Sequence, residues 1–247
     1  MAVFAHDKVL PDEKSDVDKK NQVAAMFNSI AGRYDFLNRF LSVGIDKTWR
    51  KKAIKELKEV HPKLILDVAT GTGDVALVAC RLLNPDKIIG IDISEGMLEL
   101  GRNKIKKLHL ENKIELFAGD SETINHQNSS FDAITVAFGV RNFAHLEKGL
   151  TEMLRVLKPG GKISILEFSM PKASLLKAFY SFYMFTIVPA FGKLFAKNKQ
   201  AYKYLNNSVR VFPDRENFME IMQKAGFRNT YYKSLSLGIC CIYCGSK

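Results

Sequence analysis

The stretch from Lys63 to Ala79, KLILDVATGTGDVALVA, together with Asp92, constrains this chain more than any other feature. Leu64, Ile65, Leu66 and Val68 form a short continuous apolar run, the mark of a parallel strand covered on both faces. Gly71 and Gly73 follow, and having no Cβ they let the backbone turn tightly and approach a ligand. About twenty residues on, Ile88-Ile89-Gly90-Ile91-Asp92 ends a second apolar run in a carboxylate. An acid in that place can accept both hydroxyls of a ribose, as open α/β sheets do at the C-terminal ends of their strands. The pattern predicts an adenosine-containing cofactor.

The choice of cofactor rests on charge. Gly71-Thr72-Gly73-Asp74-Val75-Ala76 fits G-x-G-x-x-[GA], so a nicotinamide oxidoreductase competes. Asp67 ends the first strand just before the loop, and Asp74 sits at the helix N-terminus where a phosphate would bind. Both acids would repel a pyrophosphate, whereas they suit the ammonium and sulfonium of S-adenosylmethionine. Nothing after residue 170 reads as a separate substrate domain with a catalytic His or Lys.

The alternation continues along the chain. Strands are expected at about 64–69, 87–93, 114–119, 133–138 and 162–168, with helices near 74–83, 95–108 and 143–157. Leu157-Lys158-Pro159-Gly160-Gly161 is expected to stop a helix and turn into the fifth strand. Asp214 to Ala225 reads as a helix, and strands near 228–236 and 239–245 are joined too closely for a crossover, so they must be antiparallel to each other. The fold class expected is α/β: a Rossmann-like class I methyltransferase with a seven-stranded, mostly parallel sheet, an antiparallel C-terminal strand and helices on both faces. Glu115-Leu-Phe-Ala-Gly-Asp120-Ser121 ends the third strand in an acid. There Asp120 can accept from the adenine amine and the Ser121 amide can donate to a ring nitrogen, or either residue can simply cap a helix.

Two regions flank this core. Residues 1–60 form a helical extension expected to cover the active site, loosely attached up to about residue 20 and helical from Val23 to Leu57 with breaks near Gly32 and Gly44. Within the 61–247 domain, an aromatic and basic insertion spans about 171–213. From Pro171 to Arg215 there are eight Lys or Arg against one acid, Asp214, which supplies +7 of the chain's net +11. Phe179, Tyr180, Phe182, Tyr183, Phe185, Phe191 and Phe195 are interleaved with these charges. Lys177, Pro189 and Lys193 interrupt the run, so it cannot span a bilayer well; it suits a lid, a contact with an anionic membrane surface, or plain packing onto the sheet. The N-terminus has no apolar signal segment, which together with the cysteines predicts a cytoplasmic protein, peripheral at most at the inner face of the membrane. Cys241-x-x-Cys244 falls in a terminal strand where the two thiols face opposite ways, so buried thiols in a reducing compartment are expected. The five histidines show no ligand spacing, and no metal is expected.

Three segments resemble the menaquinone/ubiquinone C-methyltransferases, a family that methylates prenylated quinols with S-adenosylmethionine. They are Tyr34-Asp35 through Asn38, Leu41-Ser42 and Asp46 to Trp49; Phe138-Gly139-Val-Arg141-Asn142; and Arg155-Val-Leu-Lys158-Pro159 through Glu167 to Ser169. The resemblance runs from about Val23 to the C-terminus. The chain departs from the family pattern at Asp46, usually His, at Leu37, usually Met, and at Ala137, where some members have Ser. The resemblance implies Thr72, Asp92, Asp120 and Ser121 as cofactor residues, beside Asp67, Gly71 and Gly73 from the loop. It also implies a lipophilic prenylated quinol substrate, demethylmenaquinol ahead of the ubiquinone precursor. A quinol becomes a carbon nucleophile when a ring hydroxyl ionises, so the expected catalytic set is Arg141 on the developing oxyanion, Asn142 and Tyr34 orienting the ring, and Asp35 as one possible base. Tyr204 and Arg210 are further candidates for the same pocket. An RNA methyltransferase and a non-catalytic binding protein are the competing readings; the basic charge lies among aromatic runs, not along a polar groove, so no nucleic-acid partner is expected. Homodimer formation stays open.

Overall fold

A computed structural model describes residues 4–42, 44–171 and 199–247 of the 247-residue chain. The apolar runs become strands β1 (Leu64–Val68), β2 (Lys87–Asp92), β3 (Ile114–Ala118), β4 (Phe131–Ala137), β5 (Leu157–Phe168), β6 (Arg228–Leu235) and β7 (Cys240–Ser246). They form one sheet in the order β3-β2-β1-β4-β5-β7-β6. Strands β1 to β5 pair in parallel, and β7 runs antiparallel between β5 and β6. The chain moves outward from β1 to β3 and then returns to β4 on the other side of β1. That reversal opens a crevice at the C-terminal ends of β1 and β4, where open sheets bind ligands.

The intervening helices are α3 (Asp74–Leu83), α4 (Glu95–Lys107) and α5 (Leu146–Val156), with α6 (Lys199–Val211) and α7 (Glu216–Lys224) before β6. Helix α3 covers the expected span and stops at Asn84, which adopts the left-handed conformation (φ 47°) that closes helix ends. Ser94 caps α4 by accepting from the Met97 amide. One face of the sheet packs Leu66, Val68, Ile134 and Ile163 against α5 and α7; the other packs Ile65, Ile88 and Ala133 against α3 and α4. In β7, Cys240 and Cys244 join a cluster with Trp49, and Cys241 joins the opposite one with Tyr243, so the thiols alternate faces as the strand reading requires.

Three expectations need correction. Strand β5 begins at Leu157, because Leu157 pairs with Phe131 and the register then shifts before Lys162 pairs with Ala133, so Pro159 to Gly161 form an irregularity within the strand rather than a turn ahead of it. Helix α1 (Lys19–Leu41) runs through Gly32 without a break, while the Gly44 region does separate it from α2 (Asp46–Lys55). A glycine costs an exposed helix only about 1 kcal/mol, and the contacts of α1 with α4 outweigh it. One of these is Asn28, whose Oδ1 accepts from Ser94 Oγ and the Gly96 amide at 2.7 and 2.9 Å. Finally, from Phe4 onward the N-terminal segment is not loose. Its short 3-10 turn, Ala5–Lys8, buries His6 completely between Phe4 and Phe212, and Lys19 Nζ donates to the His6 carbonyl at 2.7 Å. The aromatic stretch 172–198 of the insertion lies outside the described residues. No helix among the described residues is long and apolar enough to cross a membrane.

Candidate active site

The crevice holds a cavity enclosing about 680 Å³ of space, part of it open to solvent. Its floor is the tips of β1, β2, β3 and β4: Ala69, Gly71, Asp92, Gly119, Asp120, Ser121, Ala137 and Phe138. Lys20, Val23, Phe27 and Tyr34 of α1 form the cover. The turn after β4 completes the wall with Gly139, Asn142 and Phe143.

The first element builds the turn. Gly71 and Gly73 both take positive φ (55° and 77°), a region that side chains with a Cβ rarely enter. The Gly71 amide donates to Asp92 Oδ2 at 2.8 Å, while Asp92 Oδ1 accepts from the Ser94 amide at 2.8 Å. Each Asp92 oxygen thus keeps a lone pair for a ligand hydroxyl. Burial pushes the Asp92 carboxyl up, opposed by the Ser94 and Gly71 amides. Asp120 accepts from the Glu122 amide at 3.0 Å and pairs with Lys20 Nζ. Glu122, 3 % exposed, accepts from the His145 amide and lies 3.7 Å from Lys20 Nζ. Among the described residues, the charged ones on the cavity wall are Asp92, Asp120 and Glu122 against one ammonium, Lys20. A pyrophosphate would meet net repulsion there; a cationic nucleoside would not.

Of the residues expected from sequence, Gly71, Asp92, Asp120, Ser121, Tyr34 and Asn142 line the cavity, and Asp67, Thr72, Gly73, Asp35 and Arg141 do not. Asp67 is 1 % exposed and accepts from Thr70 Oγ1 and Thr135 Oγ1, each at 2.6 Å. Burial pushes its carboxyl up to about 6, against the threonine hydrogen bonds. It braces the loop from below rather than facing a ligand. Thr72 and Asp35 serve a latch between α1 and the glycine turn. Thr72 Oγ1 donates to Asp35 Oδ1 at 2.7 Å, and Lys104 Nζ reaches Asp35, Asp74 and Thr72 at 2.6, 2.7 and 2.8 Å. An Asp35 held this way has little freedom to act as a base. Burial would raise the Asp74 carboxyl, but Lys104 and Arg50 outweigh it and hold it below its ordinary value. That acid fills the N-terminus of α3 where a phosphate would sit. Asp46, the departure from the family's His, accepts from Ser42 Oγ and pairs with Arg50, so it belongs to the same charge network.

Arg141 lies behind the cavity wall. It is 5 % exposed, and Nη1 donates to the Phe138 carbonyl at 2.6 Å and to Glu167 Oε1 at 2.7 Å. Glu167 is fully buried, and burial pushes its carboxyl up against the pull of Arg141. The guanidinium charge is therefore already neutralised behind the wall, and a free positive charge on a substrate oxyanion is not what this geometry offers. Its neighbour Asn142 stands on the wall itself, with Nδ2 donating to the Phe138 carbonyl at 3.2 Å. Tyr34 packs edge-on to Phe27 at 5.8 Å. Tyr204 is buried beside the cover, and Arg210 is exposed. The sequence reading missed Lys20 and Glu122; Glu122 lies two residues past Asp120, but no local signal marks Lys20.

This sheet order, with its glycine turn and a carboxylate closing β2, defines the S-adenosylmethionine-dependent methyltransferase class. Solved structures show the same fold: a SAM-dependent methyltransferase of Thermotoga maritima described as a possible histamine N-methyltransferase (TM-score 0.62, 21 % identity, covering 90 % of this chain and 99 % of that one). Human N-acetylserotonin methyltransferase in complex with SAM gives TM-score 0.61 at 18 % identity over 94 % of this chain and 60 % of that one. The chain belongs to the ubiE/COQ5 methyltransferase family, whose profile matches residues 14–247. It is 44 % identical to the demethylmenaquinone methyltransferase of Bacteroides fragilis over 99 % of both chains. To the ubiquinone/menaquinone biosynthesis C-methyltransferase UbiE of Geobacter sulfurreducens it is 46 % identical, over 93 % of this chain and 90 % of that protein.

Proposed function

We propose that this chain transfers the methyl group of S-adenosylmethionine to a ring carbon of a prenylated quinol, converting demethylmenaquinol to menaquinol. The observation that carries the reading is the cavity wall: three carboxylates at the sheet edge adjoin Phe27, Phe138 and Phe143. The acidic side suits the nucleoside and its cationic sulfur and amine, with Asp92 on the ribose and Asp120 with Ser121 at the base. The aromatic side suits a quinol ring and the start of its isoprenoid tail. The names of the relatives at 44–46 % identity support the same substrate.

S-adenosylmethionine supplies an already activated methyl electrophile, so the chain's own task is alignment and charge stabilisation. Asn142 and Tyr34 orient the ring from the wall. Oxyanion stabilisation falls to the Asn142 amide, since the Arg141 charge is taken up by Glu167. The α1 cover, latched by Asp35, Thr72 and Lys104, excludes water from the transfer. The test is transfer of a radiolabelled methyl into the organic phase with demethylmenaquinone, with and without a reductant. Incorporation that requires the reductant is the expected result, and equal incorporation into the oxidised quinone removes the quinol mechanism. Because relatives carry both pathway names, a benzoquinol precursor run in parallel decides ring preference. The +7 charge of residues 171–215 favours contact with an anionic membrane surface, where the quinol resides. Salt-sensitive flotation with anionic liposomes is expected, and none would remove this part.

A further inference from the structure

Three buried polar atoms near the cavity have no hydrogen-bond partner among the described residues: Arg141 Nε, Asn142 Oδ1 and Tyr204 Oη. Buried polar groups are rarely left unpaired, because the loss is about that of a whole hydrogen bond. These three are chemically complementary. Arg141 Nε is a donor, Asn142 Oδ1 an acceptor, and a tyrosine hydroxyl can be both at once. They also belong to elements in contact, since α6, which carries Tyr204, packs on the turn Val140–Asn142. Tyr204 is 3 % exposed, in the apolar cluster of Val23 and Met26 against which Phe27 and Ile93 of the cavity wall pack. Its hydroxyl lies within electrostatic reach of Arg141 and Glu167, and burial keeps it neutral by pushing its ionisation well up.

We propose that Tyr204 is a positioning residue for methyl transfer, forming the chain Arg141 Nε–H to Tyr204 Oη, and Tyr204 O–H to Asn142 Oδ1, when substrate enters the cavity. This inference rests on the proposed quinol reaction. Its consequence follows from the Asn142 amide. With Oδ1 held by Tyr204 and one N–H on the Phe138 carbonyl, the second N–H points its dipole at the substrate. Accepting at Oδ1 polarises the amide and strengthens that donor. The charge of Arg141, fixed by Glu167, thereby reaches the ring oxygen through two neutral groups without leaving its buried pair. Tyr204 touches no substrate atom; it acts through Asn142.

The experiment is Tyr204→Phe, which deletes only the hydroxyl. Melting temperature and S-adenosylhomocysteine affinity are measured first; the affinity should match the wild type and the melting temperature should not fall, because the ligand-free hydroxyl makes no bond among the described residues. Methyl transfer to the reduced quinol is then followed across pH. The expected result is a fall of about fivefold to tenfold in kcat, the worth of one hydrogen bond in the transition state. The alkaline-rising limb of the pH profile should also move to higher pH, since the quinol oxygen is then harder to ionise. Unchanged kcat and an unchanged profile would overturn the proposal, as would a fall in KM alone. If the wild type itself transfers no methyl to the quinol while binding S-adenosylhomocysteine, the functional reading fails instead, and the two failures are distinguishable.

Discussion

Replacing Asp67 by asparagine isolates the cost of the buried carboxylate beneath the glycine turn. The residue is 1 % exposed, and its carboxyl ionises near 6 rather than at its ordinary 3.8. Below about pH 4 the acid is protonated in both folded and unfolded chains. Between 4 and 6 the unfolded chain has lost the proton while the folded one keeps it, so stability falls as pH rises, and it levels off above 6. Two pH units at about 1.4 kcal/mol each set the total at about 3 kcal/mol. The wild type alone would hide this slope. His6 is fully buried, and burial lowers its ionisation from 6.5 to about 4, against the pull of Asp7. A depressed histidine makes stability fall as pH drops from 6.5 to 4, the opposite sign in nearly the same window. Both chains share His6, so the difference between them reports Asp67. The substituted carboxamide can still accept from one threonine and donate to the other, so packing is preserved. In urea titrations from pH 4 to 7.5, the stability of Asp67→Asn relative to wild type should therefore rise by about 2–3 kcal/mol. A difference that stays flat across that range would refute the burial argument.

Other expectations follow from the same geometry. Asp92→Asn places an amide N–H against one of two donating backbone amides, and S-adenosylhomocysteine affinity by calorimetry should fall by roughly tenfold to a hundredfold. Lys104→Met removes the cation shared by Asp35, Asp74 and Thr72, so the cover loosens. Cofactor KM should rise severalfold with a stability loss of about 1–2 kcal/mol, discounted because the ammonium is partly exposed. An unchanged KM would show that the latch does not hold the turn. Gly90→Ala would set a Cβ 2.5 Å from Leu116 Cδ2 and 2.8 Å from Thr70 Oγ1, so chemical denaturation should show a loss of about 1–3 kcal/mol.

Much of the fold was written locally. Helix α3 and strand β2 lie within a residue of where periodicity puts them, because a continuous apolar run and a glycine turn leave little choice. The N-terminal segment was not legible, since one buried histidine among charged neighbours carries no pattern. The site divides the same way. Asp92 ends β2 and Asp120 and Ser121 follow just after β3, strands that the sequence locates, and all three reach the cavity. Asp35, Thr72 and Arg141 lie in this region, behind the cavity wall rather than on it. Their roles are set by Lys104 and Glu167, distant in sequence and brought close only by the fold. Lys20 enters through a helix 100 residues from its partner Asp120, beyond any local signal.

Carbon-13 spectroscopy of the product formed from reduced demethylmenaquinone and methyl-labelled S-adenosylmethionine examines the reaction itself. The label should appear as an aryl-methyl carbon on the quinol ring, and its appearance as a methoxy carbon, or in no quinol product at all, would contradict the account.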